Sequence, residues 1–371
     1  MCITPKNVAI ILLAYADFEA LEIALANYSK HLNEQMSLYI LQNGRDNYDC
    51  ERTYRVAKRY ENLYPKNIKV VDWIKPQAPY CSIKELLLSK EFDKYDYVCK
   101  VDDDVFPLRS DWFDKLIECY NVSKNRYGED LAYATGLVNN NPWGFNEVLD
   151  IFNLKAEYFE NIAMEHLVGG FGFEPAKIVP KDAIYTGACG TIWRNPYISR
   201  WLHRQTSLKP ELYIEKTQNL GFKEVDNTKR YSINVMLFRK EFWYDISDGS
   251  NDDEAMVALY CKDKNKKIVA DLSDPFVHLC FFTQREENKD LLPEFRNIYE
   301  KFLKLPYPIS MCPNKAYENE NRLRYVESKL ILPNNQSSKQ IFKYLFSVGI
   351  CGTHKIITIL GFKIKYKRKN R

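Results

Sequence analysis

The first hundred residues alternate short apolar runs with amphipathic stretches, and the last of these runs ends in three consecutive carboxylates. Residues 8–14 (Val-Ala-Ile-Ile-Leu-Leu-Ala) are apolar without alternation, the pattern of a strand covered on both faces. Residues 18–32 place Leu21, Ala24, Leu25, Tyr28 and Leu32 at helical spacing. A second strand is predicted over 37–41, followed by the turn Gln42-Asn-Gly-Arg45, where Asn-Gly is a strong turn signal. Residues 51–63 read as a helix and 68–73 as a strand. Residues 82–90 read as a helix with Ser82 as N-cap and Glu85 three residues on, and 95–101 as a fourth strand. Strands alternating with helices in this way predict an α/β fold, a mainly parallel sheet with helices on both faces. Ligands of such sheets bind at the carboxyl ends of the strands, and Tyr15, Asn43 and Asp102 all fall at such ends.

Beyond a helix predicted over 111–124 the pattern is less regular. Residues 139–182 contain Asn139-Asn-Asn-Pro142 and Gly169-Gly-Phe-Gly172 and read as loop-rich. Strands are predicted at 185–194, 232–238, 240–246, 268–270 and 276–282, a short helix with an acidic start at 252–261, and a helix at 291–303. Residues 339–346 read as a short basic-aromatic helix. In 356–366, Phe362, Ile364 and Tyr366 alternate with Lys363, Lys365 and Lys367.

The chain of 371 residues carries a formal net charge of +4, unevenly placed. Ten Lys and Arg and no acidic residue lie in 328–371, so residues 1–327 hold 43 basic against 49 acidic residues, a net of −6. An acidic body with a basic tail argues against a nucleic-acid-binding core and favours a tail that meets an anionic membrane surface. The ten Cys lack metal-site spacing. Cys50, Cys81, Cys99, Cys189 and Cys280 sit beside apolar residues and read as reduced, mostly buried thiols, which implies a reducing compartment. No signal peptide is expected, because Asp17 and Glu19 follow the first apolar run at once, and no run reaches the roughly 18 apolar residues of a membrane span.

The chemistry is concentrated in two acidic clusters. Asp102, Asp103 and Asp104 follow the apolar Val98 and Val101. On an extended chain Asp102 and Asp104 would point the same way, where two like charges repel unless a cation lies between them. The second cluster is Asp252-Asp253-Glu254.

Four features, in order, resemble a GT-A glycosyltransferase, closest to the inverting family-2 type of bacterial surface-glycan enzymes. The first strand ends Leu-Ala-Tyr15-Ala-Asp17, and the second ends Leu-Gln-Asn43-Gly44. Val101-Asp-Asp-Asp104 is similar to the family's D-x-D motif. The segment from Phe238 to Ile246, then Asn251-Asp-Asp-Glu254 and Lys267-Ile268, resembles its strand, acidic helix start and following strand. The likeness spans roughly residues 5–285. It implies a Rossmann-like GT-A catalytic domain over 1–310, with a nucleotide-binding half of about 1–110 and an acceptor half of about 111–310. Residues 311–371 would form a basic C-terminal extension. It implies a Mn²⁺ or Mg²⁺ ion held by Asp104, Asp102 and His278, the last in Pro-Phe-Val-His-Leu. A nucleotide-sugar donor, a UDP-sugar, would meet Tyr15, Asp17, Asn43, Lys84, Asp102 and Asp103. The family order Glu-Asp is here Asp-Asp-Glu, so Asp253 and Glu254 both stand as the base that deprotonates the acceptor hydroxyl. Trp193 and Trp243 are candidates to stack on an acceptor sugar, with core packing as the other reading. The acceptor would be a surface glycan or lipid-linked glycan at the cytoplasmic face of a bacterial inner membrane. Two other readings are a sugar nucleotidyltransferase, against which the glycine-free Ala14-Tyr-Ala-Asp17 speaks, and a catalytically inactive GT-A-like scaffold, against which the intact acidic clusters speak.

Overall fold

The structure is a computed structural model that describes residues 3–162, 196–227, 229–246, 252–279, 288–305, 308–309, 346–351, 354–359 and 362–367. The chain divides into two compact units, Met1–Ser310 and Met311–Arg371.

The first unit is mixed α/β and is built on a nine-stranded sheet among the described residues. Strands β1 (Val8–Ala14), β2 (Ser37–Asn43), β3 (Ile68–Trp73) and β4 (Tyr97–Asp102) are parallel neighbours in the order β3-β2-β1-β4. Their connections are the helices α1 (Phe18–His31), α2 (Tyr48–Leu63) and α3 (Pro79–Leu87). Strand β1 is buried at six of its seven residues and β4 at five of six. Successive side chains point to opposite faces, so both faces of the sheet are covered here, as the unbroken apolar runs predict. Asp17 caps α1 by accepting from the Ala20 N–H at 3.2 Å, and Asn47 caps α2 in the same way.

After β4 the chain turns at once into the short strand β5 (Val105–Pro107) and then helix α4 (Trp112–Tyr127). The strands that follow are β6 (Leu131–Val138), β7 (Phe222–Val225), β8 (Val235–Arg239) and β9 (Lys267–His278). β8 runs antiparallel to β4, β6 lies antiparallel to β8, and β9 is parallel to β6 while pairing antiparallel with β5 and β7. The carboxyl ends of β1, β2, β4, β6 and β9 therefore share one edge with the beginning of β8.

Several local expectations are corrected. Residues 240–246 form a helix (Lys240–Asp245), because Phe242 and Trp243 enter the core from consecutive positions of one turn. The loop-rich reading of 139–182 fails at its start. Pro142 sits at the first position of helix α5 (Pro142–Ile151) behind Asn141, where its missing N–H costs nothing. Ser82 lies inside α3 rather than capping it. Cys81 is exposed, whereas Cys50, Cys99, Cys119 and Cys261 are buried. The two strands expected at 268–270 and 276–282 are one continuous β9 as far as His278. The strand predicted at 185–194 lies outside the described residues. No described helix is long and apolar enough to cross a membrane.

The second unit contains an antiparallel sheet of β10 (Phe346–Cys351), β11 (His354–Ile359) and β12 (Phe362–Lys367). Phe346 thus opens a strand, and the rest of the helix predicted at 339–346 lies outside the described residues. Register pairs Ile357 with Ile364 and Ile359 with Phe362, so Phe362, Ile364 and Tyr366 occupy one set of alternating positions of β12 and Lys363, Lys365 and Lys367 the other.

Candidate functional site

The three carboxylates at the end of β4 go in three directions. β4 ends at Asp102, and the turn through Asp103 and Asp104 leads into β5, which pairs with β9. Side-chain alternation holds only while a strand continues, and β4 ends at Asp102, so the expected common direction of Asp102 and Asp104 is not set by strand alternation: Asp104 is placed by the β5–β9 ladder. Asp102 stays with the β4–β8 ladder. It is ion-paired to Lys100, two residues earlier on the same strand face, and its Oδ2 accepts from Asn234 Nδ2 at 3.0 Å. Asp103 Oδ2 accepts from the Tyr15 N–H at 3.1 Å and ties β4 to β1. Burial raises the Asp103 carboxyl well above the usual carboxylate range, and the charges of Asp104 and Asp17 add to it.

Asp104 is delivered to the β5–β9 ladder, where Val105 pairs with His278. Its Oδ2 lies 3.3 Å from His278 Nε2, with both side chains about one-tenth exposed. Burial works against a charged His278 ring, but the charge of Asp104 and its hydrogen bond prevail and raise the pKa; Asp102 and Glu254 act in the same direction. Around the ring stand Asn139 and Asn140, fully buried at the end of β6. Asn140 Oδ1 lies 2.6 Å from His278 Nδ1, and Asn140 Nδ2 donates to the His278 carbonyl at 2.8 Å. Asn139 Oδ1 accepts from the His278 N–H at 2.8 Å.

The second acidic cluster sits on the helix Asp253–Asp263. Asp252 is its N-cap, accepting from the Ala255 N–H at 3.0 Å. Arg230 bridges Asp252 and Glu254 at 2.9 and 2.8 Å. Burial pushes the Glu254 carboxyl up to about 7, Arg230 opposing and Asp253 adding. Asp253 accepts from the Glu254 N–H through Oδ1 at 3.0 Å. Burial raises its pKa, Lys100 opposes, and Asp102 adds. These mutual influences bring the β4 carboxylates and the 252–254 cluster into one electrostatic neighbourhood.

Two groups that the sequence reading did not single out hold the site together. Lys100 is 2% exposed and donates to Asp102 and, at 2.8 Å, to the Ile233 carbonyl. Burial disfavours its charge, but Asp102 and Asp253 outweigh that and raise its pKa. Its signal was a lone cation in an apolar strand, two residues from an acid. The other is the segment 230–234, which leads into β8. Arg230 serves the acidic helix, the Ser232 carbonyl accepts from Asn141 at 2.6 Å, the Ile233 carbonyl accepts from Lys100, and Asn234 holds Asp102.

Other predicted site residues have defined places. Tyr15 is 36% exposed at the end of β1, its carbonyl accepting from Gln42 Nε2 at 3.0 Å. Asp17 is buried as the cap of α1. Asn43 is 5% exposed, and its amide is engaged with the backbone of Gln77 and the Ser82 hydroxyl, so it braces the start of α3. This also explains why Ser82 is buried inside that helix. Lys84 lies on α3 with its ammonium 5.4 Å from the Tyr80 ring centre. Trp243 is corrected outright: it is fully buried, stacked on Tyr80 at 5.5 Å and Phe238 at 5.4 Å, and unable to meet a sugar. Trp193 lies outside the described residues.

A divalent cation fits Asp104 and His278 but not the full predicted set. Asp102 is turned to Lys100 and Asn234, and among the described residues no three His, Cys, Asp or Glu side chains group closely enough to hold an ion. One carboxylate and one imidazole are still compatible with an ion whose other positions are filled by diphosphate oxygens and water.

No family model matches the chain, and no curated protein matches it. Among solved structures it is similar to the mannosyltransferase PcManGT from Pyrobaculum calidifontis in complex with GDP-Man and Mn²⁺, at 13% identity and TM-score 0.29 over 39% of this chain and 41% of that one. It is also similar to TarS from S. aureus, at 8% identity and TM-score 0.34 over 97% of this chain and 60% of that one. A mannosyltransferase from S. cerevisiae is matched at 11% identity and TM-score 0.27 over 71% of this chain and 62% of that one. The chain spans less than two thirds of the length of each. At these values the chemistry of the site has to be read from its own residues.

Proposed function

We propose that this chain is a metal-dependent glycosyltransferase that moves a sugar from a nucleoside diphosphate donor to an acceptor hydroxyl with inversion. The observation that carries the reading is the approach of Asp104 Oδ2 to His278 Nε2 at 3.3 Å, at the carboxyl edge of the sheet. The pair shares that edge with Asp253, a carboxylate whose proton affinity is raised. Asp104 and His278 would hold a Mn²⁺ or Mg²⁺ ion, which when bound would supply positive charge for the departing diphosphate. Tyr15, exposed at the end of β1 beside the cap of α1, would stack on the nucleotide base.

Of the two candidate bases, the geometry favours Asp253. Glu254 is committed to Arg230, while Asp253 accepts from a backbone N–H through Oδ1, its one hydrogen bond among the described residues. Its raised pKa suits a base that must hold a proton during the reaction. The acceptor O–H gives its proton to Asp253, its oxygen forms the new bond to the anomeric carbon, and the bond from that carbon to the diphosphate breaks on the opposite side. The acceptor we propose is a bacterial surface glycan or its lipid-linked precursor. The lysines of β12 and the basic residues after it would hold the protein to an anionic inner-membrane surface on the cytoplasmic side.

The test is a thermal melt of the full chain with UDP-, GDP- and dTDP-sugars, with and without Mn²⁺. A ligand of the folded state raises the melting temperature by mass action. We expect a rise for one nucleotide that requires metal and disappears in Asp104→Ala. No rise for any donor with folded protein would refute the assignment.

A further inference from the structure

We infer that Asn140 is a positioning residue that locks the imidazole of His278 in the tautomer a metal ion requires. The inference rests on the cation reading of the Asp104–His278 position.

The deduction starts from an atom whose role cannot change. The main-chain carbonyl of His278 can only accept a hydrogen bond. The end of the Asn140 amide facing it at 2.8 Å must therefore be the NH₂ group. The other end, 2.6 Å from His278 Nδ1, must be the carbonyl oxygen, which also can only accept. Nδ1 consequently carries a proton. In a neutral ring that leaves the lone pair on Nε2, the nitrogen 3.3 Å from Asp104 Oδ2. At that distance a proton on Nε2 of the charged ring meets the Asp104 carboxylate in the metal-free protein, and a metal ion that replaces this proton finds the Nε2 lone pair directed at it because Asn140 keeps the other proton on Nδ1.

The neighbouring asparagine is fixed by the same logic. The His278 N–H can only donate, so Asn139 presents its oxygen to it and its NH₂ to Ser207 Oγ at 2.9 Å. Ser207 Oγ lies 3.1 Å from His203 Nδ1, and His203 Nε2 faces the Leu279 carbonyl at 3.0 Å. That carbonyl requires the proton on Nε2, so the second buried histidine holds the opposite tautomer and faces the backbone rather than the cation position. His278 is thus gripped at its N–H, its carbonyl and its ring by two consecutive asparagines that lie nearly 140 residues away in sequence and are fully buried. Groups that orient a metal-binding histidine through its second nitrogen affect metal affinity by about 10- to 100-fold when removed.

The experiment has two readouts on the full chain. The first is ¹⁵N NMR of the imidazoles of metal-free protein in alkaline buffer, with the His278 signals assigned by their loss in His278→Ala. The second is Mn²⁺ binding followed by electron paramagnetic resonance. We expect wild-type His278 to show a protonated Nδ1 and a lone pair on Nε2. Asn140→Leu, which has no acceptor, should mix the tautomers and weaken Mn²⁺ binding by about 10- to 100-fold. Asn140→Asp, which keeps an acceptor for Nδ1–H but gives up the donor to the His278 carbonyl, should still favour the Nδ1–H tautomer over Asn140→Leu. A neutral wild-type ring with its proton on Nε2 overturns the inference and needs no variant to fold. Unchanged Mn²⁺ affinity in folded Asn140→Leu also overturns it. Wild-type protein with the Nδ1–H tautomer that takes up no Mn²⁺ overturns the cation reading and leaves the tautomer assignment standing.

Discussion

The Glu254 carboxyl makes the stability of the first unit depend on pH in a direction opposite to that of an ordinary paired acid. Burial raises its pKa from 4.5 to about 7 in spite of Arg230. Between those values the folded chain keeps a proton that the unfolded chain has lost, so stability falls as pH rises through this window and the loss is complete above the folded value. At about 1.4 kcal/mol per tenfold change in proton affinity the rise is worth about 3 kcal/mol. The Glu254 side chain is 22% exposed, and solvent screening lowers the expected effect to about 1–3 kcal/mol. Glu254→Gln removes the ionisation and keeps the shape. Urea denaturation of both proteins at a series of pH values can be followed by tryptophan fluorescence, which reports on the first unit because all six Trp lie within residues 1–310. The wild type should lose about 1–3 kcal/mol relative to Glu254→Gln as pH rises from acid to neutral. A difference that stays flat, or that grows in favour of the wild type with rising pH, would refute the placement of this carboxylate in a desolvated, acid-rich surrounding.

Asp253→Asn should lower kcat by about 10²- to 10⁴-fold with little change in KM for donor, while Glu254→Gln keeps most of its turnover; steady-state release of nucleoside diphosphate with a competent acceptor separates the two, and the reverse ranking would move the base to Glu254. Lys100→Met leaves Asp102 and Asp253 without their buried cation and should destabilise the fold by about 3–5 kcal/mol, measured by urea denaturation; a loss below about 1 kcal/mol would mean that the pair is dispensable. Gly136→Ala brings a methyl group into the Phe276 ring and to 2.7 Å from the Asp274 carbonyl. Overpacking of this kind costs about 1–3 kcal/mol, and because Phe276 lies two residues before His278 on β9 the variant should also weaken Mn²⁺ binding, read from the same resonance titration.

The parallel half of the sheet was legible because its strands are buried on both faces and so appear as unbroken apolar runs, as in Val8–Ala14. The acidic helix start at 252–254 was legible from local capping chemistry. The rest depended on contacts the local pattern does not carry. The aromatic run Phe242-Trp-Tyr244 suits a strand by propensity, yet it is helical because Trp243 stacks between Tyr80 and Phe238. Strand β6 contains Ala132, Ala134 and Gly136 among its larger residues, a pattern with no clear period, and its small residues leave room for Phe276. Asn139-Asn-Asn-Pro142 has the composition of a loop, but Asn139 and Asn140 reach the His278 backbone nearly 140 positions away and Asn141 the Ser232 carbonyl 91 positions away, partners no local rule foresees.

The divergence of Asp102 and Asp104 follows from where the chain leaves the parallel half of the sheet. Five carboxylates gather near one edge: Asp102, Asp103, Asp104, Asp253 and Glu254. Left alone, such a group would force several of them to remain protonated. The fold answers in separate places. Lys100 holds Asp102 from below on the same strand, Arg230 holds Glu254 from the segment leading into β8, and Asp103 turns to a backbone N–H. Two carboxylates are left with distinct tasks. Asp253 has one oxygen uncommitted to the backbone and a raised proton affinity, and Asp104 faces a nitrogen whose second position is pinned by Asn140. Lys100 and Arg230 neutralise the acids that hold the site together, and on the proposed reading a cation arriving with substrate would be left Asp104 and His278. On this reading the D-x-D spacing matters less for bringing two carboxylates to one ion than for sending them apart, one to the β4–β8 ladder and one to the β5–β9 ladder.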